Sequence, residues 1–355
     1  MNQLDFLAVG DITTDAFIRL TDAHVNCSVD KTKCELCVRF ADKIPYESVT
    51  VVRAVGNAPN AAVAAARLNL AAGLVSDIGD DENGRECLAA LGKEKVNTSF
   101  VTTHNDAKTN YHFVLWYEAE RTILVKHEAY DYKLPALEPA PKWLYLSSLG
   151  GNSEAYHYEI IAYLENHPEV QLAFQPGTFQ IQLGTEKLKK LYERAAIFFC
   201  NKEEAQRILR GAHSEADFGN VWLSPAKTGR PEDFSKSASR SILSEIHALG
   251  PKIVCITDGP NGAYAYDGHM NEYWFMPIYP DPAPPLSRTG AGDAFASSFT
   301  AAIILGKSVK EALRWAPLNS AFVVQQVGAQ KGLLTRQELE RSLKDAPADY
   351  APRFL

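Results

Sequence analysis

The 355-residue chain is predicted to have an α/β fold: a doubly wound, mostly parallel central sheet with helices on both faces, and a small additional β-sheet. Two observations support the main sheet. Short apolar segments alternate with helical segments between residues 143 and 210, as in βαβ units. Hydrophobic residues make up 46% of the chain and charged residues 22%, which is enough to form a large core. Residues 109–128 are instead rich in β-forming residues and indicate the separate sheet.

The N-terminal part is predicted to alternate strands and helices. LDFLAVG (4–10) resembles a buried strand closed by glycine, and SVTVVRAVG (48–56) has the Val/Thr alternation of a half-exposed strand. NAPNAAVAAARLNL (57–70) is alanine-rich and predicts a helix. LVSDIG (74–79) predicts a strand, and NGRECLAALGKE (83–94) predicts a helix.

The middle of the chain begins with a predicted hairpin. Two β-rich runs, TNYHFVLWY and RTILVKHEA, flank the polar link Glu118-Ala119-Glu120. Strands and helices then alternate through WLYLSSL, SEAYHYEIIAYLENH, VQLAF, TEKLKKLYERA, AIFFC and EEAQRILR. Residues 211–240 are rich in Gly, Ser, Pro and charge, and predict a surface insertion.

The C-terminal part returns to the α/β pattern. KIVCITDG and AYAYDG predict strands, and the proline-rich DPAPPL (281–286) leads to a glycine-containing turn. DAFASSFTAAIIL and SVKEALRWAPLNSAFVVQQV predict helices, and Pro317 should kink or interrupt the second. Residues 346–355 are expected to form a C-terminal tail.

Composition excludes some classes of partner. The formal charge is −7, from 36 basic and 43 acidic residues, and no Lys/Arg-rich run is present, so a nucleic-acid partner is not expected. The longest apolar runs, such as AAVAAA and FTAAIIL, are too short to cross a bilayer. The first residues do not have the pattern of a secretory signal, and a soluble cytoplasmic protein is expected.

Three of the six cysteines lie close together in the sequence. His24, Cys27, Cys34 and Cys37 include a C-x₂-C element, and thiolates with an imidazole suit tetrahedral Zn²⁺. The alternative is that these cysteines are small residues of a strand or loop, because a second C-x₂-C pair is missing.

The segment Arg288-Thr289-Gly290-Ala291-Gly292-Asp293-Ala294-Phe295 carries the main chemical signal. Its two glycines let the backbone approach a ligand closely, and the following helix directs its positive end to the same point. Such an arrangement can hold a transferring phosphoryl group. Asp293 is either a general base or an ordinary helix N-cap.

Four motifs in order then resemble the ribokinase-like (PfkB) family of carbohydrate and nucleoside kinases. Thr289 to Phe295 resembles the family's D-T-x-G-A-G-D-x-F pattern, and Gly56-Asn57-Ala58-Pro59-Asn60 resembles its G-G-N-x-x-N motif. Asn201 to Glu204 resembles the N-x-x-E motif, and Thr257 to Gly262 resembles the T-x-G-x-x-G nucleotide turn. Each motif alone is weak, but four in register are specific.

The resemblance implies roles at the phosphoryl end of a site that binds ATP and Mg²⁺. Asp293 is the expected general base, and the backbone of Gly290, Ala291 and Gly292 is the expected anion hole. Asn201 and Glu204 are expected to organise Mg²⁺, the latter through water, since Mg²⁺ keeps several of its waters. The residues expected around the nucleotide are Thr257, Gly259, Gly262 and Asn319.

At the acceptor end, the resemblance implies that Asp15 binds substrate hydroxyls together with Gly56, Asn57 and Asn60. The structural alternatives are a solvated loop charge at Asp15 and a turn or cap residue at Asn57. The β-rich pieces at about 14–56 and 107–132 resemble the family's small lid, which also implies a homodimer through the lid. The kinase domain would then span residues 1–345.

Some positions depart from the family's pattern. Val55 replaces the first glycine of a pair, and Ser287-Arg288 stands where the family has Asp-Thr, so dependence on a monovalent cation is left open. Arg288 could instead reach the ATP phosphates.

A small sugar or sugar-like acceptor is expected first. An adenosine-type nucleoside is second, with Phe17, Phe113, Trp116 and Phe179 as candidate stacking residues. A non-catalytic regulatory protein on the same fold is third. A nicotinamide oxidoreductase is remote, because no G-x-G-x-x-G follows the first strand.

Overall fold

A computed structural model describes residues 3–28, 34–118, 120–212 and 231–355. Its main sheet has ten strands in the order β16-β15-β14-β13-β12-β11-β10-β1-β6-β7. The seven strands from β13 to β7 run parallel, and the last three at the other edge are antiparallel. The predicted mostly parallel α/β sheet is therefore confirmed.

The strands of this sheet are β1 Phe6–Val9, β6 Ala72–Gly79, β7 Asn97–His104, β10 Trp143–Leu146, β11 Gln171–Phe174, β12 Ala195–Asn201, β13 Ile253–Thr257, β14 Ala263–Asp267, β15 Glu272–Met276 and β16 Arg353–Phe354. The helices are α1 Asn57–Arg67, α2 Glu82–Lys93, α3 Glu154–Asn166, α4 Thr178–Leu183, α5 Lys189–Arg194, α6 Lys202–Ala212, α7 Pro231–Ala248, α8 Ala291–Ile304, α9 Val309–Val323 and α10 Arg336–Lys344. A 3₁₀ turn, Gly259–Asn261, follows β13.

Helices cover both faces of the sheet, and the first strand shows why. Successive side chains of β1 point to opposite faces, so Phe6 and Ala8 pack with α1, α8 and α9, while Leu7 and Val9 pack with α3, α6 and α7. A strand buried on both faces needs the continuous apolar run that the sequence has here. The doubly wound arrangement is confirmed.

A second sheet lies outside this framework and has the order β5-β2-β8-β9. Its strands are β2 Thr13–Leu20, β5 Tyr46–Val55, β8 Asn110–Tyr117 and β9 Glu120–Leu124. Strands β8 and β9 form the predicted hairpin, in which Trp116 pairs with Arg121. This four-stranded sheet is called the lid sheet below, and its presence confirms the predicted small sheet.

A short hairpin between β2 and β5 shows that the expected zinc cluster was wrong. Its strands are β3 His24–Cys27 and β4 Cys34–Cys37, and in this register His24 faces Cys37 while Cys27 faces Cys34. Positions three apart on a strand point to opposite faces, so the four side chains cannot converge on one ion. Cys27 and Cys34 form a disulfide instead, which removes two thiolate ligands.

Three further expectations need correction. Pro317 was expected to kink or interrupt the second helix; it lies inside a continuous α9 and does not interrupt it. Within the predicted insertion at 211–240, residues 231–240 belong to α7, and residues 213–230 lie outside the described part. The predicted tail at 346–355 is packed against the fold, because β16 pairs with β15 and Tyr350 is buried.

Within the described residues, every helix is too short or too polar to traverse a lipid bilayer.

Candidate active site

Asp293 lies in the first turn of α8, at one side of a cavity of about 910 Å³. The helix starts there because Gly290, with φ of 80°, provides a left-handed N-cap. A Cβ at Gly290 would lie 2.3 Å from the Cβ of Ala329, so only glycine fits. The turn therefore fixes where the helix begins and where its first carboxylate points.

The first amides of α8 form the candidate anion hole. The N–H groups of Ala291, Gly292 and Asp293 precede the first intrahelical hydrogen bond, which Ala294 donates to the Gly290 carbonyl at 2.8 Å. All three residues line the cavity, as does Gly290. Unpaired amides at the positive end of a helix bind anionic oxygens, so this corner of the cavity can hold a phosphate.

The first turn of α1 supplies two partners for Asp293. Asn57 Nδ2 donates to Asp293 Oδ1 at 2.6 Å, and Asn60 Nδ2 donates to Oδ2 at 2.8 Å. Residues three apart share a helix face, which explains the N-x-x-N spacing. Gly56 caps this helix with φ of 123°, and a Cβ there would lie 2.5 Å from the Asp11 carbonyl oxygen.

A third partner, Gln175, was missed by the sequence analysis. Its Nε2 donates to Asp293 Oδ1 at 3.2 Å, and its Oε1 accepts a hydrogen bond from the Tyr145 hydroxyl. Gln175 directly follows β11, at the carboxyl edge of the sheet. Ligands of parallel α/β sheets bind at that edge, so a polar residue just after a buried strand was the available signal.

Gln330 does not contact Asp293 but orients Asn60, and it was also missed. Its Nε2 donates to Asn60 Oδ1 at 3.0 Å and to the Ala54 carbonyl at 2.6 Å. Asn60 must then direct its own NH₂ group toward Asp293. The segment carrying Gln330 is held by Arg67, which donates to the carbonyls of Gln330 and Leu333 at 2.9 and 2.7 Å.

Burial raises the pKa of Asp293 above its ordinary value of 3.8. The hydrogen bonds from Asn60, Asn57 and Gln175, and the charge of Arg121, oppose this shift because they stabilise the carboxylate. The residue is 8% exposed and lines the cavity, so its carboxylate combines desolvation with access to a ligand. A carboxylate of this kind can accept a proton from an alcohol.

The lid sheet closes the other side of the cavity. Asp15, Phe17, His112, Arg121 and Ile123 from its strands line the cavity. Asp15 Oδ1 lies 3.4 Å from His112 Nδ1. The predicted acceptor residues Asp15, Gly56, Asn57 and Asn60 thus gather around Asp293, together with His112 and Arg121, which the sequence analysis did not single out.

A second group of predicted residues belongs to the same cavity. Asn201, Glu204, Thr257, Gly259 and Gly262 all line it. Asn201 Oδ1 accepts from the Glu204 N–H at 2.8 Å, and Glu204 Oε2 accepts from the Asn201 N–H at 2.8 Å, so the pair caps the start of α6. Arg288 lines the cavity as well, and its contact with the ATP phosphates stays a prediction.

Glu204 is the residue that fits Mg²⁺. Burial raises its pKa, and among the described residues its Oε1 has no hydrogen-bond partner while its side chain borders the cavity. The described residues contain no group of three acidic, His or Cys side chains able to hold a metal. One carboxylate combined with waters and phosphates is the donor set that Mg²⁺ accepts.

Asn319 does not line the cavity, which corrects its expected place near the adenine. It is fully buried; its Nδ2 donates to Ser298 Oγ at 2.8 Å, and its Oδ1 accepts from the Leu334 N–H at 2.9 Å. The residues of α9 that do border the cavity are Pro317, Ser320 and Ala321. Asn319 therefore connects helices instead of facing a ligand.

Comparisons with known proteins agree on one family. Ribokinase from Bacillus subtilis (strain 168) is 28% identical over 330 residues, covering 89% of this chain and 98% of that protein. The 5-dehydro-2-deoxygluconokinase of the same organism is 23% identical over 314 residues, covering 84% of this chain and 89% of that protein. Ribokinase from Cryptococcus neoformans, solved in complex with ADP, superposes with a TM-score of 0.73 at 22% identity, covering 95% and 99% of the two chains.

The family described as pfkB family carbohydrate kinase matches residues 23–336, which is most of the chain. The match spans strands β5, β8 and β9 of the lid sheet, both glycine-capped helices and Asp293. The chain therefore belongs to the pfkB family of carbohydrate kinases, enzymes that transfer a phosphoryl group to a hydroxyl group.

Proposed function

We propose that the protein transfers the γ-phosphoryl group of ATP to a hydroxyl of a small sugar, with Asp293 as the general base. The observation that carries this proposal is the position of the Asp293 carboxylate. It is held by three side-chain amides at the start of α8, beside the unpaired amides of the same turn and facing one cavity. A base and an anion hole thus lie next to each other, as in-line phosphoryl transfer requires.

The proposed reaction follows from this placement. The acceptor hydroxyl lies against Asp293, and its oxygen attacks the γ-phosphorus as its proton passes to the carboxylate. The bond between the γ-phosphorus and the bridging oxygen breaks, and that oxygen leaves as part of ADP. The N–H groups of Ala291, Gly292 and Asp293 stabilise the charge on the phosphoryl oxygens. The three amides around Asp293 keep it oriented toward the acceptor.

The nucleotide is proposed to occupy the end of the cavity lined by Thr257, Gly259 and Gly262, with Arg288 near its phosphates. Support comes from the Cryptococcus relative, which was solved with ADP. Glu204 would hold Mg²⁺ through water, and the ion would supply charge neutralisation to the phosphates. Asn201 positions Glu204 by capping the same helix.

A sugar acceptor is favoured over a nucleoside by the walls of the cavity. Of the four aromatic residues considered for base stacking, Phe17 lines the cavity. Trp116 is covered by Arg19, whose guanidinium lies 4.7 Å from the ring centre. Phe179 packs on His127, and Phe113 is 45% exposed. The residues around Asp293 are mainly polar, as hydroxyl recognition requires.

The test is a panel of sugars, sugar acids, sugar phosphates and nucleosides, each scored for acceptor-dependent ADP release with Mg-ATP. We expect turnover with at least one sugar-type acceptor. Turnover confined to nucleosides would favour the adenosine-type alternative. Absence of turnover with every acceptor, in protein that still binds ATP, would contradict the proposed activity and favour a regulatory ligand-binding role.

The raised pKa of Asp293 predicts the acid side of the pH profile. The base must be ionised, so kcat/KM should fall as pH decreases through the Asp293 pKa. Because burial raises that pKa above the ordinary 3.8, the fall should occur at higher pH than for an exposed aspartate. The measurement is kcat/KM against pH with saturating Mg-ATP, with parallel circular dichroism to exclude acid unfolding. An acid limb at or below the ordinary aspartate pKa would contradict the assignment.

A further inference from the structure

Arg121 of the lid sheet borders the acceptor end of the cavity without a charged partner. No described residue forms an ion pair or hydrogen bond with its guanidinium. The other arginines of this sheet are paired: Arg19 lies 2.8 Å from Glu47, and Arg53 lies 2.6 Å from Glu86. An arginine presents five N–H donors in a planar fork, and they remain available here.

The position of Arg121 on β9 directs it toward the cavity. Ile123, two residues further along the strand, also lines the cavity, and positions two apart share a face of a sheet. Arg121 is therefore on the inner face of the lid sheet.

Three carboxylates interact with Arg121 through charge, those of Glu120, Asp293 and Asp15. Asp293 accepts hydrogen bonds from Asn57, Asn60 and Gln175, and Asp15 lies beside His112. Arg121 is hydrogen-bonded to none of these three carboxylates. Its charge offsets theirs, but the directional N–H donors of its guanidinium are not used.

The phosphoryl end of the cavity has its own binding groups. The first amides of α8 and the side chain of Arg288 lie there, and Glu204 is available for the metal. The lid-sheet arginine is a second cation, on the side of the cavity formed by the acceptor residues. A second anion on that side would have to come from the acceptor itself.

We propose that the acceptor is an anionic sugar, carrying a carboxylate or a phosphate, and that Arg121 determines this specificity by binding the anionic group. The inference rests on the proposed sugar-kinase activity and names its substrate class. Guanidinium groups bind carboxylate and phosphate through two parallel hydrogen bonds, which gives orientation as well as affinity. Held in this way, the acceptor would present one hydroxyl to Asp293.

The test compares acceptors that differ only in charge. D-gluconate and D-glucitol share one carbon chain, with a carboxylate or a hydroxymethyl group at C1, and fructose 6-phosphate and fructose form a second pair. The panel extends to 2-keto aldonic acids and their neutral counterparts. For the wild-type protein we expect kcat/KM to be at least about tenfold higher for the anionic member of one type of pair. That pair identifies carboxylate or phosphate as the group recognised.

Arg121→Gln should remove most of this preference, lowering kcat/KM for the anionic acceptor at least about tenfold more than kcat/KM for its neutral counterpart. Arg121→Lys, which keeps the charge but loses the planar fork, should retain part of the preference. Arg19→Gln is the matched control, because Arg19 lies in the same sheet but does not border the cavity. Thermal melting of all three variants checks folding.

Calorimetry with the anionic acceptor in the absence of nucleotide tests which anion Arg121 binds. The two possibilities are the anionic group of the acceptor and the transferred phosphoryl group. We expect Arg121→Gln to weaken this binding. If binding is unchanged while turnover falls equally for both members of a pair, Arg121 serves the transferred phosphoryl group and the inference is wrong. If the wild-type protein turned over neutral sugars equally well or better, the inference about Arg121 would also be wrong. The proposed kinase activity would remain supported. Absence of turnover with any acceptor would remove both.

Discussion

Asp293→Asn is expected to lower kcat by about 10²–10⁴-fold, the usual contribution of a positioned general base. The amide cannot accept the proton of the acceptor hydroxyl. It also places an NH₂ group at one of the two oxygen positions, where it meets either the donors of Asn57 and Gln175 or the donor of Asn60. Asn60 cannot relieve this conflict by turning over, because Gln330 fixes its amide orientation. The measurement is single-turnover phosphoryl transfer at saturating acceptor and Mg-ATP.

Nucleotide binding should survive this substitution, because Asp293 is proposed to act on the acceptor proton. A fluorescent ATP analogue measures that binding, and Asp293→Ala provides a second variant without the misplaced donor. Asp349→Asn is the matched control, since Asp349 is exposed. Turnover of both Asp293 variants within about tenfold of the wild-type rate would mean that Asp293 is a structural cap and not the base.

Gly290→Ala is expected to lower the free energy of unfolding by about 2–5 kcal/mol and to abolish most phosphoryl transfer. A left-handed residue other than glycine costs about 1–2 kcal/mol, and overpacking adds about 1–3 kcal/mol. Both apply here, because φ is 80° and the new Cβ would meet the Ala329 Cβ at 2.3 Å. Relief of this clash must move the start of α8 and the amides that it presents. Urea denaturation measures the stability, and ADP release measures transfer.

Gly292→Ala is the matched control two residues away. A Cβ at Gly292 meets no heavy atom within 4 Å and points into open space, so stability should be unchanged or higher by about 0.5–1 kcal/mol. Since Gly292 borders the cavity, its new methyl group should instead raise the KM for ATP. Wild-type stability in Gly290→Ala would contradict the geometric account of this turn.

The sequence alone was sufficient for the residues that act through local structure. Asp293 and its glycines lie in one helix start, and Asn57 and Asn60 lie in one helical turn, so their spacing reveals a shared face. Gln175, Gln330 and Arg121 were missed because each reaches the site through tertiary packing, from a strand end, a C-terminal segment and the lid sheet. No spacing in the sequence connects them with Asp293.

Asn319 shows where the sequence could have been used better. The cavity-lining residues of α9 are Pro317, Ser320 and Ala321, separated by three and four positions as on one helix face. Asn319 lies off that face. The expected zinc cluster was wrong for a similar geometric reason. Residues three apart in β3 and in β4 point to opposite sides of the hairpin. Ligand type suggested a metal, but only the secondary structure decides whether ligands converge.

The support of Asn60 by Gln330 has a consequence for protein synthesis. The groups around Asp293 come from residues 57, 60 and 175, and the amide of Asn60 is fixed only when residue 330 is in place. Arg67, near the beginning of the chain, anchors that late segment through two carbonyls. A nascent polypeptide still lacking this segment would contain Asp293, the proposed base, but not its aligned neighbours. Phosphoryl transfer should therefore begin only after the ribosome has released nearly the entire product.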